Sequence, residues 1–290
     1  MMRAASLVPE IVADHACRLG SGPAWHPGLG ILTWIDAHDR SLHSYDPAGA
    51  KSSRVPIEEK VSQCLPSDSG RALLVTADGV LKTLHGSDLK TLGVRLPWPA
   101  DSQLCWVASD HSARLYCATR TKDGTSGSVY QVAADGGVKE MLRDLGRVTG
   151  LGFDHERELL YCCDAESREI LRFAFHAAVG EFSDRTTVVR LPHSLGAPHG
   201  IAVDAKGFVW VPMWGGSCVM RFAPTGKEER RIYFTAKLLS GLAFGGSDLR
   251  DLFVVSSGAE DRHVNGPGAG ALYRVRPAVK GAVQPLATIT

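Results

Sequence analysis

Eleven histidines, seven cysteines and scattered serines are the side chains of this 290-residue chain best able to move protons or attack carbonyls. Histidine alone changes charge near neutral pH without perturbation. His15, His26, His38, His43, His111, His155 and His176 fall in strand- or turn-like contexts with no mutual spacing, and no role is assigned to them. The cysteines are odd in number and dispersed. Cys162 and Cys163 are adjacent in a strand-like run rather than at a metal-ligand spacing, so buried free thiols are expected. Ser21 lies in Gly20-Ser21-Gly22-Pro23, with nothing like a Gly-x-Ser-x-Gly elbow around it. Catalytic groups must therefore be gathered by the fold from distant parts of the chain.

The bulk properties narrow the partners. Lys plus Arg number 32 against 31 for Asp plus Glu, so no global field draws nucleic acid or an anionic membrane to the surface. A small neutral or weakly charged molecule is the expected partner. The N-terminal stretch has no apolar run of signal-peptide length, and no segment approaches the roughly 18 apolar residues of a membrane span. A soluble cytoplasmic protein is expected, and the oligomeric state is left open. At 44% hydrophobic residues the chain can build a large core.

The elements that would position a site repeat along the chain. The clearest copies are Gly150-Leu-Gly-Phe-Asp154 followed by Leu159-Leu-Tyr-Cys-Cys163 and Ile170-Leu-Arg-Phe173, then Gly200-Ile-Ala-Val-Asp204 followed by Phe208-Val-Trp-Val211 and Val219-Met-Arg-Phe222. Others begin near Gly22, Ala72, Arg114 and Gly241, which makes six. Each is a set of short apolar or alternating runs broken by Asp/Gly/Pro turns such as Asp46-Pro-Ala-Gly49 and Asp204-Ala-Lys-Gly207. No segment keeps a 3.6-residue period for three turns, so helices are scarce. Repeats of about 40 to 50 residues made of strands close best as a propeller. The expectation is an all-β, six-bladed β-propeller with four-stranded antiparallel blades, one domain over residues 1–290, with residues 1–13 as an extended strand or tail.

Leu19-Gly-Ser-Gly-Pro-Ala-Trp25, Gly150-Leu-Gly-Phe153, Pro198-His-Gly-Ile-Ala-Val-Asp204, Trp214-Gly-Gly216 and Phe244-Gly-Gly246 resemble, in order, the blade motifs of the SMP-30/gluconolactonase/regucalcin family. The similarity covers nearly the whole chain and is weakest from about residue 50 to 105. It implies a propeller with one divalent cation on its axis and, in many members, the opening of sugar lactones or related cyclic esters. The ion would polarise the ester carbonyl and lower the pKa of bound water.

The ligand positions depart from that pattern. The family's Glu is Ser21, the Asn before Gly-Leu is Thr149, and the Asp of the Pro-Asp-Gly turn is His199. A further Asn aligns with Gln103, and the acid beside it is also missing. Both carboxylates are gone, so no tight Ca²⁺ site is expected. If any metal binds, it is a softer Zn²⁺ or Fe²⁺ on His199 with a second histidine such as His193, although no Cys/His spacing compels it.

By the resemblance, Ser21, Gln103, Thr149 and His199 converge on an axial pocket, joined by Cys64 from the second blade. His199 is then the acid/base, with Ser21, Thr149 and Gln103 as hydrogen-bond donors to a small lactone, enol or other carbonyl substrate. Trp214 and Trp106 are candidate apolar walls. A Ser21 nucleophile with His199 as base, and a Cys64 thiolate, are weaker alternatives. Asp164 would orient His199 or cap a turn, the turn being favoured. Two further readings stay open: a lactonase with unorthodox metal ligands including His199, and a noncatalytic propeller that binds a small molecule or a protein.

Overall fold

The computed structural model describes residues 6–67, 72–76, 78–85, 88–95, 101–124, 126–133, 137–259 and 261–287. They form an all-β propeller. Four sheets each hold four consecutive antiparallel strands, starting with Gly20–His26, Val61–Pro66, Ser102–Ser109 and Val148–Asp154. The remaining strands share one nine-stranded sheet. Six separate four-stranded sheets were expected. The last two repeats are joined instead because Trp214 pairs with Leu238, a single bridge between Val209–Trp214 and Leu238–Gly245. The helical content of the described residues is one 3-10 turn, His193–Leu195. No helix among them is long and apolar enough to cross a membrane.

Burial follows position in each sheet. The first strand of the fourth sheet, Val148–Asp154, is buried throughout, whereas its last, Glu181–Arg190, is largely exposed or half-buried. Likewise Lys51–Pro56 carries an almost wholly exposed face. Apolar runs therefore pack inward and between sheets, and polar outer strands present charged edges that discourage pairing with other chains. Between the third and fourth sheets Tyr116, Phe153, Phe173 and Phe175 form one buried cluster.

The first strands touch in a closed ring: Gly20–His26 against Val61–Pro66, then Ser102–Ser109, Val148–Asp154, Ala202–Val203, Leu238–Gly245 and back to the start. The ring is tight enough to demand glycine. A Cβ on Gly150 would lie 2.8 Å from the Gly200 carbonyl carbon, and Gly200 itself has a φ of 105°. Ser6–Asp14 closes the structure by pairing with Ala271–Arg276, so the two ends of the chain share one sheet. The C-terminal run crosses one end of the ring. Its Pro285 carbonyl accepts from Ser109 Oγ at 3.1 Å, and Ala287 N donates to Pro66 O at 2.8 Å.

Candidate functional site

Several of the ring strands carry a register shift near their start: between Ser21 and Ala24, Val61 and Gln63, Leu104 and Trp106, Val148 and Gly150, and Leu239 and Gly241. Such bulges re-aim side chains and are frequent beside functional sites. They put Cys105, Thr149 and Ser240 at equivalent irregular positions round the axis, at the end of the ring away from the C-terminal run.

His199 is the most constrained group there. Its backbone N donates to Pro212 O at 3.0 Å, and its ring lies 5.2 Å from Trp214, inclined 29°. Its Nδ1 lies 2.9 Å from the Ser240 carbonyl oxygen. A carbonyl only accepts, so Nδ1 carries the hydrogen and Nε2 keeps a lone pair. Burial pushes His199 down to about 4; the Ser240 bond opposes this and the charge of Arg147 adds to it. The imidazole is thus neutral at pH 7.

The other expected residues take different parts. Thr149 Oγ1 donates to Pro198 O at 2.8 Å, so its hydrogen holds the backbone next to His199 and is not free for a ligand. Gln103 pairs in register with Arg120; with its amide oxygen facing the guanidinium, that oxygen accepts from Nε at 2.9 Å and Nη2 at 3.0 Å. The Gln103 NH₂ stays available. Ser21 is half-buried, and no hydrogen bond joins it to His199 among the described residues. Cys64 is fully buried, its Sγ donates to Gly22 O at 3.2 Å, and burial pushes its thiol up to about 12. A thiolate there is not accessible at neutral pH. Trp106 packs in the cluster with Tyr116 and Phe153, with one edge on a narrow channel of about 70 Å³ further down the axis. Asp164 accepts from Gly146 N, Glu166 N and Ser167 N, which makes it a turn cap. His193 is exposed, and its carbonyl accepts from Arg168.

Four residues were missed by sequence reasoning. Ser240 supplies the carbonyl that sets the His199 tautomer, and its hydroxyl donates to Gly20 O beside Ser21. Its signal was present, since Ser240-Gly241-Leu242 repeats the pattern of Thr149-Gly150-Leu151. Gln63 is 3% exposed with no partner for Oε1, and its amide packs where a Gly22 Cβ would fall, 3.0 Å away. Arg120 and Arg147 both act electrostatically on the Cys105 thiol, and Arg147 also acts on His199. Neither arginine belongs to any motif.

A second cavity, of about 700 Å³, lies on the side of the C-terminal run among Trp25, Phe244, Leu249 and Val283. It contains none of the expected residues, and its Arg276 is paired with Asp251. The expected site residues Thr149, Gln103 and His199 lie at the bulged end instead. A hard divalent ion does not fit there: among the described residues no carboxylate is bonded to His199, Thr149 or Gln103, and the Gln103 oxygen is taken by Arg120. Among the described residues no three His, Cys, Asp or Glu side chains are grouped to hold a metal ion.

This arrangement has known relatives. The chain is 32% identical over 279 residues to pentonolactonase XacC of Haloferax volcanii, covering 93% of this chain and 94% of that one. It is 27% identical over 280 residues to a 6-deoxy-6-sulfogluconolactonase of Pseudomonas putida, covering 92% and 94%. A calcium-binding regucalcin structure from Agrobacterium tumefaciens superposes with a TM-score of 0.88 at 22% identity, covering 100% of both chains. That level of identity speaks for the fold. Residues 19–258 match the SMP-30/Gluconolactonase/LRE-like region. With the ring of strands and the Gly-rich motifs in that frame, the chain belongs to the SMP-30/gluconolactonase/LRE-like family.

Proposed function

We propose that the protein hydrolyses small lactones, with water as the attacking group and His199 Nε2 as the base that takes its proton. The observation that carries this is the fixed tautomer: Nδ1 is committed to Ser240 O, so the lone pair stands on Nε2. Attack on the carbonyl carbon places negative charge on its oxygen. The Gln103 NH₂ and the Ser21 hydroxyl are the donors for that charge. As the ring C–O bond breaks, the imidazolium returns its proton to the departing oxygen, and the product is a hydroxy acid. Thr149 keeps the Pro198-His199 backbone in place, and Trp214 supports one face of the imidazole. Lactonase relatives along nearly the full length support the reaction class.

On this reading the nine-stranded sheet counts as two blades, giving six in a single domain, because one residue pair is all that joins its halves. The same Nε2 lone pair would suit Zn²⁺ or Fe²⁺, which is the competing reading. Exhaustive chelation in metal-free buffer separates them. Turnover of sugar lactones that persists after chelation and disappears in His199→Ala supports water activation by the imidazole. Activity that vanishes on chelation and returns with one equivalent of Zn²⁺ or Fe²⁺ makes His199 a ligand.

A further inference from the structure

The register slips that mark the ring strands each leave one residue out of the pairing: Ser62 on Val61–Pro66, Cys105 on Ser102–Ser109, Thr149 on Val148–Asp154 and Ser240 on Leu238–Gly245. Ser21 and His199 hold the matching places in the other two repeats, just before Gly22 and Gly200, as Thr149 and Ser240 stand just before Gly150 and Gly241. Cys64 is the residue that the resemblance offers from the second repeat. The slip falls two residues earlier, so that repeat brings Ser62 to the bulged position while Cys64 packs in the core.

Half of this ring is closed by its own hydrogen bonds. Thr149 Oγ1 donates to Pro198 O in the next repeat at 2.8 Å, His199 Nδ1 donates to Ser240 O at 2.9 Å, and the Ser240 hydroxyl donates to Gly20 O. The succession stops there. Among the described residues neither the Ser21 nor the Ser62 hydroxyl has a hydrogen-bond partner. Burial divides the ring in the same way: Thr149 and Ser240 are buried, whereas Ser21 and Ser62 are each the one half-buried residue of an otherwise buried strand. Both strands are flanked by ring neighbours on either side, so solvent reaches the two serines from the bulged end of the axis, where His199 is half-buried as well.

The order of the ring decides what faces what. Contacts run from Gly20–His26 through Val61–Pro66, Ser102–Ser109, Val148–Asp154, Ala202–Val203 and Leu238–Gly245 back to the first strand. The repeat that carries His199 is thus three places from the repeat that carries Ser62 in either direction, and the two residues stand across the axis from each other. A small ring with its carbonyl carbon beside His199 turns its remote side toward Ser62. An uncommitted hydroxyl both donates and accepts and carries no charge, which suits a neutral hydroxyl on the ligand.

We infer that Ser62 is a substrate contact that selects hydroxylated molecules, exchanging a hydrogen bond with a hydroxyl on the side remote from His199. That the substrate is a lactone rests on the hydrolytic reading above; the preference for a hydroxylated molecule does not.

The test compares two lactones of the same ring size, glucono-δ-lactone, which carries hydroxyls, and δ-valerolactone, which carries none. The preference for glucono-δ-lactone, measured as the ratio of the two kcat/KM values, should fall ~2- to 10-fold in Ser62→Ala, the worth of one neutral hydrogen bond, and the fall should lie in KM more than in kcat. Ser62→Thr restores a hydroxyl and should recover most of the preference. A packing defect would act on both lactones alike and leave the ratio unchanged, and an unchanged ratio in a folded Ser62→Ala overturns the inference. Melting temperature checks the folding; should the alanine variant not fold, Ser62→Cys, nearly the same size and a poor donor, carries the same comparison. Binding without turnover separates this reading from the hydrolytic one. Sorbitol, titrated calorimetrically, should bind the wild-type protein and bind Ser62→Ala ~2- to 10-fold more weakly. If no lactone is turned over, the hydrolytic reading falls and sorbitol alone decides this one: the weakening keeps it, and equal or absent binding overturns it. Turnover of both lactones with a ratio that Ser62→Ala leaves intact does the reverse.

Discussion

The Ser240 carbonyl, 2.9 Å from His199 Nδ1, decides which nitrogen of the histidine can react. The two residues are 41 positions apart, Ser240 on the strand Leu238–Gly245 and His199 just after Ala197–Pro198. Because the hydrogen sits on Nδ1, every role open to His199 passes through Nε2.

Replacing His199 with alanine should lower kcat by ~10²- to 10⁴-fold, the usual contribution of a positioned base. KM should change less, because the Gln103 and Ser21 donors remain. Steady-state kinetics on a hydrolysed lactone give both numbers, and an unchanged kcat would remove His199 from the mechanism.

The pH profile carries its own sign. A base with a pKa near 4 is unprotonated across the neutral range, so kcat should rise through about pH 4 and stay flat to pH 7. A rising limb centred near 6.5 would mean that His199 is not held in its buried, neutral form.

Acid should also unfold the protein by a related route. Burial lowers His43, His155 and His199 to about 4, against the 6.5 of an unperturbed histidine. The folded state prefers each of them neutral, so their contribution is complete above about 6.5 and is lost as pH falls toward 4, where unfolding takes up protons. Urea midpoints measured at pH 7 and pH 4.5 should show the lower stability at 4.5. Removing His199 alone should flatten only part of that slope, because the other two lie in separate environments beside His15 and His111.

Thr149→Val keeps the shape and deletes the donor to Pro198 O. The stranded buried carbonyl should cost ~1–3 kcal/mol, and kcat should fall because the adjacent His199 backbone loosens. Thr149→Ser restores the hydroxyl and should recover most of both losses. Equal kinetics in valine and serine variants would leave Thr149 with a packing role alone.

Far from the site, Arg221→Leu should be the more damaging change to stability. Arg221 lies on the fully buried Asp204, which also accepts from Trp210 Nε1 at 2.9 Å. Stranding that carboxylate should cost ~3–5 kcal/mol in chemical denaturation. A double variant that also replaces Asp204 with asparagine should be less destabilised than the sum of the two changes.

Much of this protein is written locally. Runs such as Leu159-Leu-Tyr-Cys-Cys163, ended by Asp164, specify strand and turn from a few neighbouring residues, because apolar strand formers and turn-capping aspartates act over two to five positions. The spacing of those runs marked the propeller. What no local pattern could carry was the outcome of closing the ring. Closure puts the Ser240 carbonyl against His199, turns the Thr149 hydroxyl toward Pro198, ties Gln103 to Arg120, brings Arg147 to bear on two other sheets' residues, and merges the last two repeats through Trp214 and Leu238. Tautomer, donor direction and local field depend on distances of a few ångströms between residues tens of positions apart, and only tertiary packing sets those distances.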